Sequence, residues 1–296
     1  MLIDELRTKG LIHPPTFLPN GVCLLVQMGS EAYGCSSNDS DVDLYGVCIP
    51  PKDDVFPHLR GEIRGFGEQH KPFEVWQKHH VLDKDNQVSY DLVVYSITRF
   101  VQLCMDSNPN MIDALFVPQR CVRYCSAIGG ILRDNRKLFL SKRCWPKFRG
   151  YAFSQLHKMG GTHRGGKRKQ LVEEFGFDVK FGYHAVRLAC EVRQLLMTHD
   201  LCLDQDRELL KSIRRGEWTE QRVRDFFEQQ SPLLEEAYHN STLPDNPDEG
   251  AIRAVLLRCL EEHYGSLQGV VETERDALLA LKQIQSVIEN SAHILG

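Results

Sequence analysis

Two aspartates separated by one residue, Asp41 and Asp43, lie in the stretch SDVDLYGVCIPP. Apolar and polar residues alternate there as in a β-strand, which Pro50 and Pro51 would end. Side chains two apart on a strand point to the same side, so the two carboxylates project together. Carboxylates this close repel each other unless a cation neutralises them, and oxygen-only ligands favour a hard ion. The pair therefore indicates a site for Mg²⁺ or Mn²⁺.

A Gly-Ser pair, Gly29 and Ser30, precedes these aspartates and follows the apolar run VCLLVQM, which predicts a buried strand. The residues EAYG come next and predict a short helical turn. Backbone N–H groups at such a strand-to-helix junction bind phosphate, and glycine permits a close approach. Each pair alone is common in ordinary turns and loop edges. Their combination indicates phosphoryl transfer, which needs a phosphate cradle facing a divalent metal.

The elements around these residues divide the chain into two parts. The segments FEVWQKHHV and VSYDLVVYS predict further strands, and SITRFVQLCMDS has apolar residues at helical spacing. From about residue 125 the pattern is helical: FGYHAVRLACEVRQLLMTHD predicts a strong amphipathic helix, and two more helices are expected over 249–263 and 270–294. The predicted fold class is α+β, with a small mixed β-sheet domain over 1–125 and a C-terminal helical bundle over 126–296.

Composition places the chain among soluble globular proteins, with 296 residues of which 42% are hydrophobic and 26% charged. No apolar run approaches the roughly 18 residues of a membrane span. The N-terminal stretch MLIDELRTKG is acidic and amphipathic, unlike a secretory signal. Ten dilute, irregularly spaced cysteines indicate reduced thiols. We therefore expect a cytoplasmic protein that does not bind membranes; the oligomeric state stays open.

The net charge of −4 conceals a basic segment, residues 133–169, which holds 12 Lys and Arg against one acid, Asp134. This segment carries a net +11, so the rest of the chain carries −15. A basic block inside an acidic protein is typical of a polyanionic partner such as nucleic acid. A lysine-rich solvated helix face is the alternative.

The stretch GSEAYGCSSNDSDVDLYGV resembles the signature of the DNA polymerase β-like nucleotidyltransferase superfamily. The chain is more closely similar to the RlaP family, polymerase β-like proteins of RNA repair pathways. The segments DLVVYSITRFVQL, NPNMIDALF, FRGYAFSQLHKM, KFGYHAVRLACEV and LLKSIRRGEW follow that family's order, over residues 22 to 218. The resemblance implies that residues 1–125 are a nucleotidyltransferase catalytic domain.

The resemblance also implies roles for the residues above. Gly29 and Ser30 would hold the triphosphate of an NTP, and Asp41 and Asp43 would ligate two Mg²⁺ (or Mn²⁺) ions. An acceptor hydroxyl would attack the α-phosphate in line, and pyrophosphate would leave. The expected function is therefore metal-dependent transfer of an NMP to an acceptor, namely an RNA (tRNA) 3′ end in RNA repair or processing.

A third carboxylate from a neighbouring strand normally completes such a site. We predict Asp91, in VSYDLVVYS, as this metal ligand and as the group that could accept the hydroxyl proton; Glu74, on the strand before, is the alternative. His70, His79 and His80 could suggest a metal cluster, but adjacent histidines on a strand face opposite ways, so all three are interpreted as structural. Asp113 stands where the family is expected to have glutamate, which weakens any catalytic claim for it.

Lys180, His184 and Arg187 are spaced i+4 and i+3 and so share one helix face. The resemblance suggests that this face closes over the cleft and contacts phosphates or the base. A solvated cationic face with a satisfied histidine is the alternative.

Two other functions remain open from the sequence. The same chemistry could modify a protein, as in toxin or antitoxin nucleotidyltransferases. Alternatively, the chain could be a catalytically silent RNA- or nucleotide-binding module, although a pure binder has no need of paired carboxylates beside phosphates.

Overall fold

The computed structural model describes residues 1–36, 41–160, 167–265 and 281–285, and these contain a mixed five-stranded β-sheet. The strands are β1 (Val22–Gln27), β2 (Val42–Cys48), β3 (Val75–Asp83), β4 (Val88–Ser96) and β5 (Val122–Cys125). Their order in the sheet is β3-β4-β2-β1-β5; β2 and β4 run parallel, and the other neighbouring pairs are antiparallel. The predicted mixed sheet in the first part of the chain is confirmed.

Helices make up most of the remaining described residues. The α-helices are α1 (Leu2–Thr8), α2 (Leu18–Gly21), α3 (Gly29–Ala32), α4 (Lys52–Val55), α5 (Ile97–Met105), α6 (Pro109–Phe116), α7 (Ala127–Asp134), α8 (Cys144–Met159), α9 (Lys167–Phe175), α10 (Val179–Thr198), α11 (Arg207–Arg214), α12 (Glu220–Asn240) and α13 (Glu249–Tyr264). Short 3₁₀ helices lie at Pro57–Arg60, Gln119–Cys121 and Arg136–Phe139, and residues 281–285 are helical.

The C-terminal part is helical, as predicted. The helix expected over 249–263 is α13, whereas most of the one expected over 270–294 lies outside the described residues. The domain division at residue 125 stays a prediction. No helix in the described part of the chain has the length and apolar character needed to cross a membrane.

The two faces of the sheet meet different surroundings. On one face, fully buried Leu44, Leu92 and Val94 pack in one cluster with Ile3 and Leu6 of α1. Because strand side chains alternate, the residues between them point to the other face. That face holds Asp43 and Asp91, and over β1 it is covered by α7. The sheet therefore has one sealed apolar face and one face that carries the polar residues of interest.

The central helix of the C-terminal part is α10, which packs on α8, α9, α11 and α12. Fifteen of its twenty residues are buried, among them Arg187, Glu191 and Gln194. The prediction of an amphipathic helix is therefore wrong for most of α10, because α8, α9, α11 and α12 pack around it. Polar side chains buried in this way need partners inside the protein.

We expect Gly129→Ala to destabilise the fold and Gly130→Ala, next to it on α7, to leave it intact. A Cβ on Gly129 would lie 2.4 Å from the Cys23 carbonyl oxygen of β1, whereas a Cβ on Gly130 has nothing within 4 Å. Overpacking of this kind costs about 1–3 kcal/mol, and alanine in an open helical position gains up to about 1 kcal/mol. Urea unfolding of both variants measures the difference, and equal stabilities would contradict the packing of α7 on β1.

Candidate active site

The chain leaves β1 through a tight turn at Gly29. This residue has a φ of +65°, a left-handed conformation that suits glycine, and Ser30 follows it within α3. The Met28 amide donates to the Asp43 carbonyl at 2.8 Å and ties the turn to β2. A Cβ on residue 29 would lie 2.0 Å from Asp43 Oδ2, so the carboxylate packs directly on the glycine. The structure thus brings the Gly-Ser turn and an aspartate of the Asp-x-Asp pair into contact.

Asp43 on β2 pairs with Asp91 on the parallel strand β4. Paired residues of neighbouring strands project to the same face, so the two carboxylates are neighbours. Burial raises the pKa of Asp43 to about 6, the charges of Asp91 and Asp41 add to this rise, and Lys180 and His79 oppose it. Asp43 is therefore a half-buried carboxylate on which two further negative charges act.

The other two candidate carboxylates lie in different places. Asp41 is exposed just before β2, close enough for its charge to act on Asp43. The Glu74 carbonyl accepts a hydrogen bond (2.8 Å) from the Ser96 amide, at the C-terminal end of β4. Five residues of strand, about 16 Å, separate that end from Asp91. The geometry places Asp91, and not Glu74, beside Asp43.

A β-bulge in β3 lies next to the Asp91 carboxylate and contacts one of its oxygens. The pairing with β4 is irregular between Lys78 and Val81, and His80 has a φ of +55°. The His80 amide donates to Asp91 Oδ1 at 2.7 Å, and the Nδ1 atoms of His79 and His80 lie 3.6 and 3.8 Å from that oxygen. The expectation that the two histidines face opposite ways is wrong, because the bulge interrupts the alternation of the strand.

Lys180 reaches this site from the start of α10. The buried Asp178 caps the helix, its Oδ1 accepting from the Lys180 amide at 3.1 Å. The exposed Lys180 side chain carries a charge that lowers the pKa of Asp43, so it lies on the same side as the carboxylates. His184, one turn further, is half-buried with its ring centroid 4.9 Å from that of Tyr183.

Arg187, the third residue of the predicted face, is only 5% exposed. Its Nη1 lies 2.5 Å from Asp113 Oδ2 and 3.1 Å from Glu191 Oε1, and it also contacts the Tyr33 hydroxyl. That hydroxyl donates to Asp113 Oδ2 at 2.7 Å. This buried network of Tyr33, Asp113, Arg187 and Glu191 excludes the solvated-face alternative for Arg187.

The network links the phosphate-side turn to the helical part of the chain. Tyr33 directly follows α3, Asp113 belongs to α6, and Arg187 and Glu191 belong to α10. Burial raises the pKa of Asp113 and of Glu191, while Arg187 lowers both. Burial alone would lower the pKa of Arg187, but Glu191, Tyr33 and Asp113 raise it well above its usual range, so the guanidinium stays charged. Sequence reasoning missed Tyr33 and Glu191; the i+4 spacing of Arg187 and Glu191 was the available signal.

The carboxylates are also candidate ligands for a metal ion. In residues 1–36, 41–160, 167–265 and 281–285, no group of three or more Asp, Glu, His or Cys side chains is close enough together to coordinate a metal ion without rearrangement. The donor chemistry nevertheless fits Mg²⁺ or Mn²⁺, because all the candidate ligands are carboxylate oxygens. Burial is the main cause of the raised pKa of Asp43, and the charges of Asp91 and Asp41 add to it, so a cation bound beside these carboxylates would favour the ionised form.

Several cations of the basic segment already form ion pairs within the protein. Arg143 and Lys147 each lie 3.0 Å from a carboxylate oxygen of Asp106, and other pairs in the described residues are Lys137–Asp200 (2.6 Å), Arg149–Glu235 (3.4 Å) and Lys169–Glu173 (3.5 Å). Residues 161–166, in its glycine-rich part, lie outside the described residues. Acids from elsewhere therefore balance part of the +11, although exposed ion pairs are weak and can be exchanged for phosphate.

The mixed sheet, the glycine turn and the in-register carboxylates together are of the DNA polymerase β type. The chain belongs to the RNA repair pathway DNA polymerase beta family, RlaP, whose family model matches residues 16–258. Over 134 residues it is 26% identical to an uncharacterized 38.9 kDa protein from the nrdC-mobD intergenic region of Enterobacteria phage T4. That match covers 45% of this chain but only 37% of the phage protein.

The fold was also compared with solved structures. A nucleotidyltransferase-like protein from Exiguobacterium sibiricum 255-15 matches with a TM-score of 0.28 and 10% identity, over 98% of this chain and 89% of that chain. A TM-score this low supports no conclusion about function.

Replacing Asp43 by Asn is expected to stabilise the metal-free protein above pH 6. Its folded-state pKa of about 6 exceeds the ordinary value of 3.8, so ionising Asp43 costs stability as the pH rises through this window. We expect a gain of about 1 kcal/mol, or about 2–4 °C in Tm, at pH 7.5 in EDTA, and none at pH 4. Thermal melts measure the Tm of Asp43→Asn, and Asp245→Asn, at an exposed position, is the control. Equal Tm values of the two variants at pH 7.5 would contradict the prediction.

Arg187→Ala is expected to cost about 3–5 kcal/mol of unfolding free energy, because it leaves two buried carboxylates without their cation. Arg193→Ala is the matched control on α10, since Arg193 is 39% exposed and lies 3.6 Å from Asp206. Its loss should stay below about 1 kcal/mol. Urea denaturation separates the two, and similar losses would show that the buried network contributes little.

Proposed function

We propose that this chain is a metal-dependent nucleotidyltransferase that moves an NMP from an NTP to a hydroxyl at an RNA (tRNA) 3′ end, in RNA repair or processing. The observation that supports it is the contact between Gly29 and the Asp43 carboxylate, with Asp91 beside Asp43 in register. Membership of an RNA repair family favours RNA as the acceptor.

In this proposal the turn binds the nucleotide. Backbone amides at Gly29 and Ser30, at the start of α3, would donate to the triphosphate. The missing Cβ at residue 29 lets the Asp43 carboxylate pack against this turn. Lys180, which lies on the side of the carboxylates, would balance part of the phosphate charge. His184 would contribute from the next turn of α10, and Arg187 would act by holding Tyr33, and so the turn, in place.

The carboxylates have two tasks. Asp41, Asp43 and Asp91 would hold two Mg²⁺ or Mn²⁺ ions, which when bound supply Lewis acidity and neutralise charge at the reacting phosphate. Above pH 6 the Asp43 carboxylate is mostly ionised and ready to ligate. The acceptor hydroxyl attacks the α-phosphorus, its proton passes to Asp91, and the bond to pyrophosphate breaks. The His80 amide, 2.7 Å from Asp91 Oδ1, orients that carboxylate.

A transfer assay tests the proposal. We expect label from one α-³²P NTP to appear on RNA in the presence of Mg²⁺, with Asp43→Ala and Asp91→Asn lowering the rate by about 10²–10⁴-fold because they remove ligand and proton acceptor. Glu74→Gln is the matched control and should retain most activity, since Glu74 lies at the other end of β4.

Other outcomes would assign a different function. Label on protein bands would identify a protein-modifying transferase. Binding of NTP or RNA without transfer of any nucleotide, in Mg²⁺ or Mn²⁺, would identify a binding module. Loss of activity in Glu74→Gln but not in Asp91→Asn would overturn the assignment of the third carboxylate. We expect the reaction to take place in the cytoplasm.

A further inference from the structure

Three tyrosines continue the polar face of the sheet away from the carboxylates. Tyr45 lies two residues after Asp43 on β2, and Tyr95 lies four residues after Asp91 on β4, so both share the face of the aspartates. Their rings are stacked, with centroids 6.4 Å apart and planes at 28°. Tyr151 of α8 approaches the end of this row, because its hydroxyl accepts a hydrogen bond (3.1 Å) from Asn108, just after helix α5, which itself follows β4. Burial raises the pKa of Tyr95, Arg99 lowers it and the charge of Tyr151 raises it further. We call Tyr45, Tyr95 and Tyr151 the tyrosine strip.

Tyr45 and Tyr95 pack against the core but are not fully buried, and Tyr151 is exposed. On the opposite face of the same strands, Leu44, Leu92 and Val94 are fully buried, whereas Tyr45 and Tyr95 are half-buried although both lie on inner strands. Tyr151 is 39% exposed, and its hydroxyl accepts a hydrogen bond from Asn108 Nδ2 at 3.1 Å. Trp145 and Phe148, on the same helix, are in contrast buried. The phenol rings therefore keep surface available to a ligand.

Cations lie close in the fold to two of the three tyrosines. Lys147 and Tyr151 are spaced i, i+4 and so share a face of α8, and Lys147 lies 3.0 Å from Asp106. Arg143 contacts the same carboxylate at 3.0 Å, and Arg99 lies near Tyr95. A row of aromatic rings flanked by cations binds single-stranded nucleic acid, because bases stack on the rings while phosphates contact the cations.

We propose that the tyrosine strip stacks the unpaired bases at the 3′ end of the acceptor RNA, which places the terminal hydroxyl at Asp43 and Asp91. The inference rests on the proposed function, which sets the direction of the RNA strand: its 3′ end lies at the carboxylates and the preceding bases lie on the tyrosine strip. Asp91 and Tyr95 are about 13 Å apart along β4, so the strip begins within reach of the reacting group. Stacking on these rings would add binding energy to that of the cations of the basic segment, part of whose charge is already paired within the protein.

Equilibrium binding of a 5′-fluorescein-labelled single-stranded RNA oligonucleotide, measured by anisotropy without NTP, tests the inference. Binding is measured in the Asp43→Asn background, so the result does not depend on catalysis. Tyr151→Ala should weaken binding by about 5- to 100-fold, the usual loss for one stacked base, while Tyr151→Phe, which keeps the ring, should bind within about twofold. Tyr124→Ala is the matched control, since Tyr124 on β5 is also 39% exposed, and it should bind as the parent does.

Two results would overturn the proposal. Equal RNA affinity of Tyr151→Ala and Tyr124→Ala would exclude stacking at the strip. Unchanged RNA affinity with a raised KM for NTP, measured for Tyr151→Ala with Asp43 intact, would assign the strip to the base of the incoming nucleotide. If the wild-type chain transfers no nucleotide but Tyr151→Ala still weakens RNA binding, the proposed function fails and the strip remains an RNA-binding surface.

Discussion

Parallel pairing of β2 with β4 is the constraint on which the rest of the site depends, because its register sets Asp43 beside Asp91. Two carboxylates held on one sheet face repel each other, and burial against Gly29 prevents Asp43 from moving into water. The resulting cost is visible as a pKa raised to about 6. A cation bound between the two carboxylates, as in the proposed function, would relieve this cost.

A second constraint connects this sheet face to the helices. Arg187 on the buried central helix α10 holds Asp113, Glu191 and the Tyr33 hydroxyl, and Tyr33 follows the turn that packs on Asp43. Movement of α10 would therefore disturb the turn. Asp178 caps the same helix and positions Lys180. Helix α10 therefore supplies both Arg187, which holds Tyr33 in place, and the exposed Lys180, whose charge acts on Asp43.

Much of this arrangement could be predicted from the sequence. The features that could not be predicted have identifiable physical causes. Strand alternation and the position of Gly29 predicted β2 and the turn. The shared face of Asp41 and Asp43 stays a prediction, because Asp41 lies just before the strand. The bulge at His79 and His80 was not predictable from alternation, because an irregular pairing shows no pattern in a single sequence. Helical spacing placed Lys180 and Arg187 on one face but not their exposure, since burial depends on how distant elements pack. For the same reason, a count of charges missed the acids that pair with the basic segment.

The direct test of the central claim is a crystal structure of the wild-type chain with Mn²⁺ and a non-hydrolysable NTP, read by anomalous scattering. The account predicts Mn²⁺ peaks on the Asp43 and Asp91 carboxylates and triphosphate oxygens on the backbone amides of Gly29 and Ser30. Nucleotide bound elsewhere, or Mn²⁺ absent from Asp43, would contradict it.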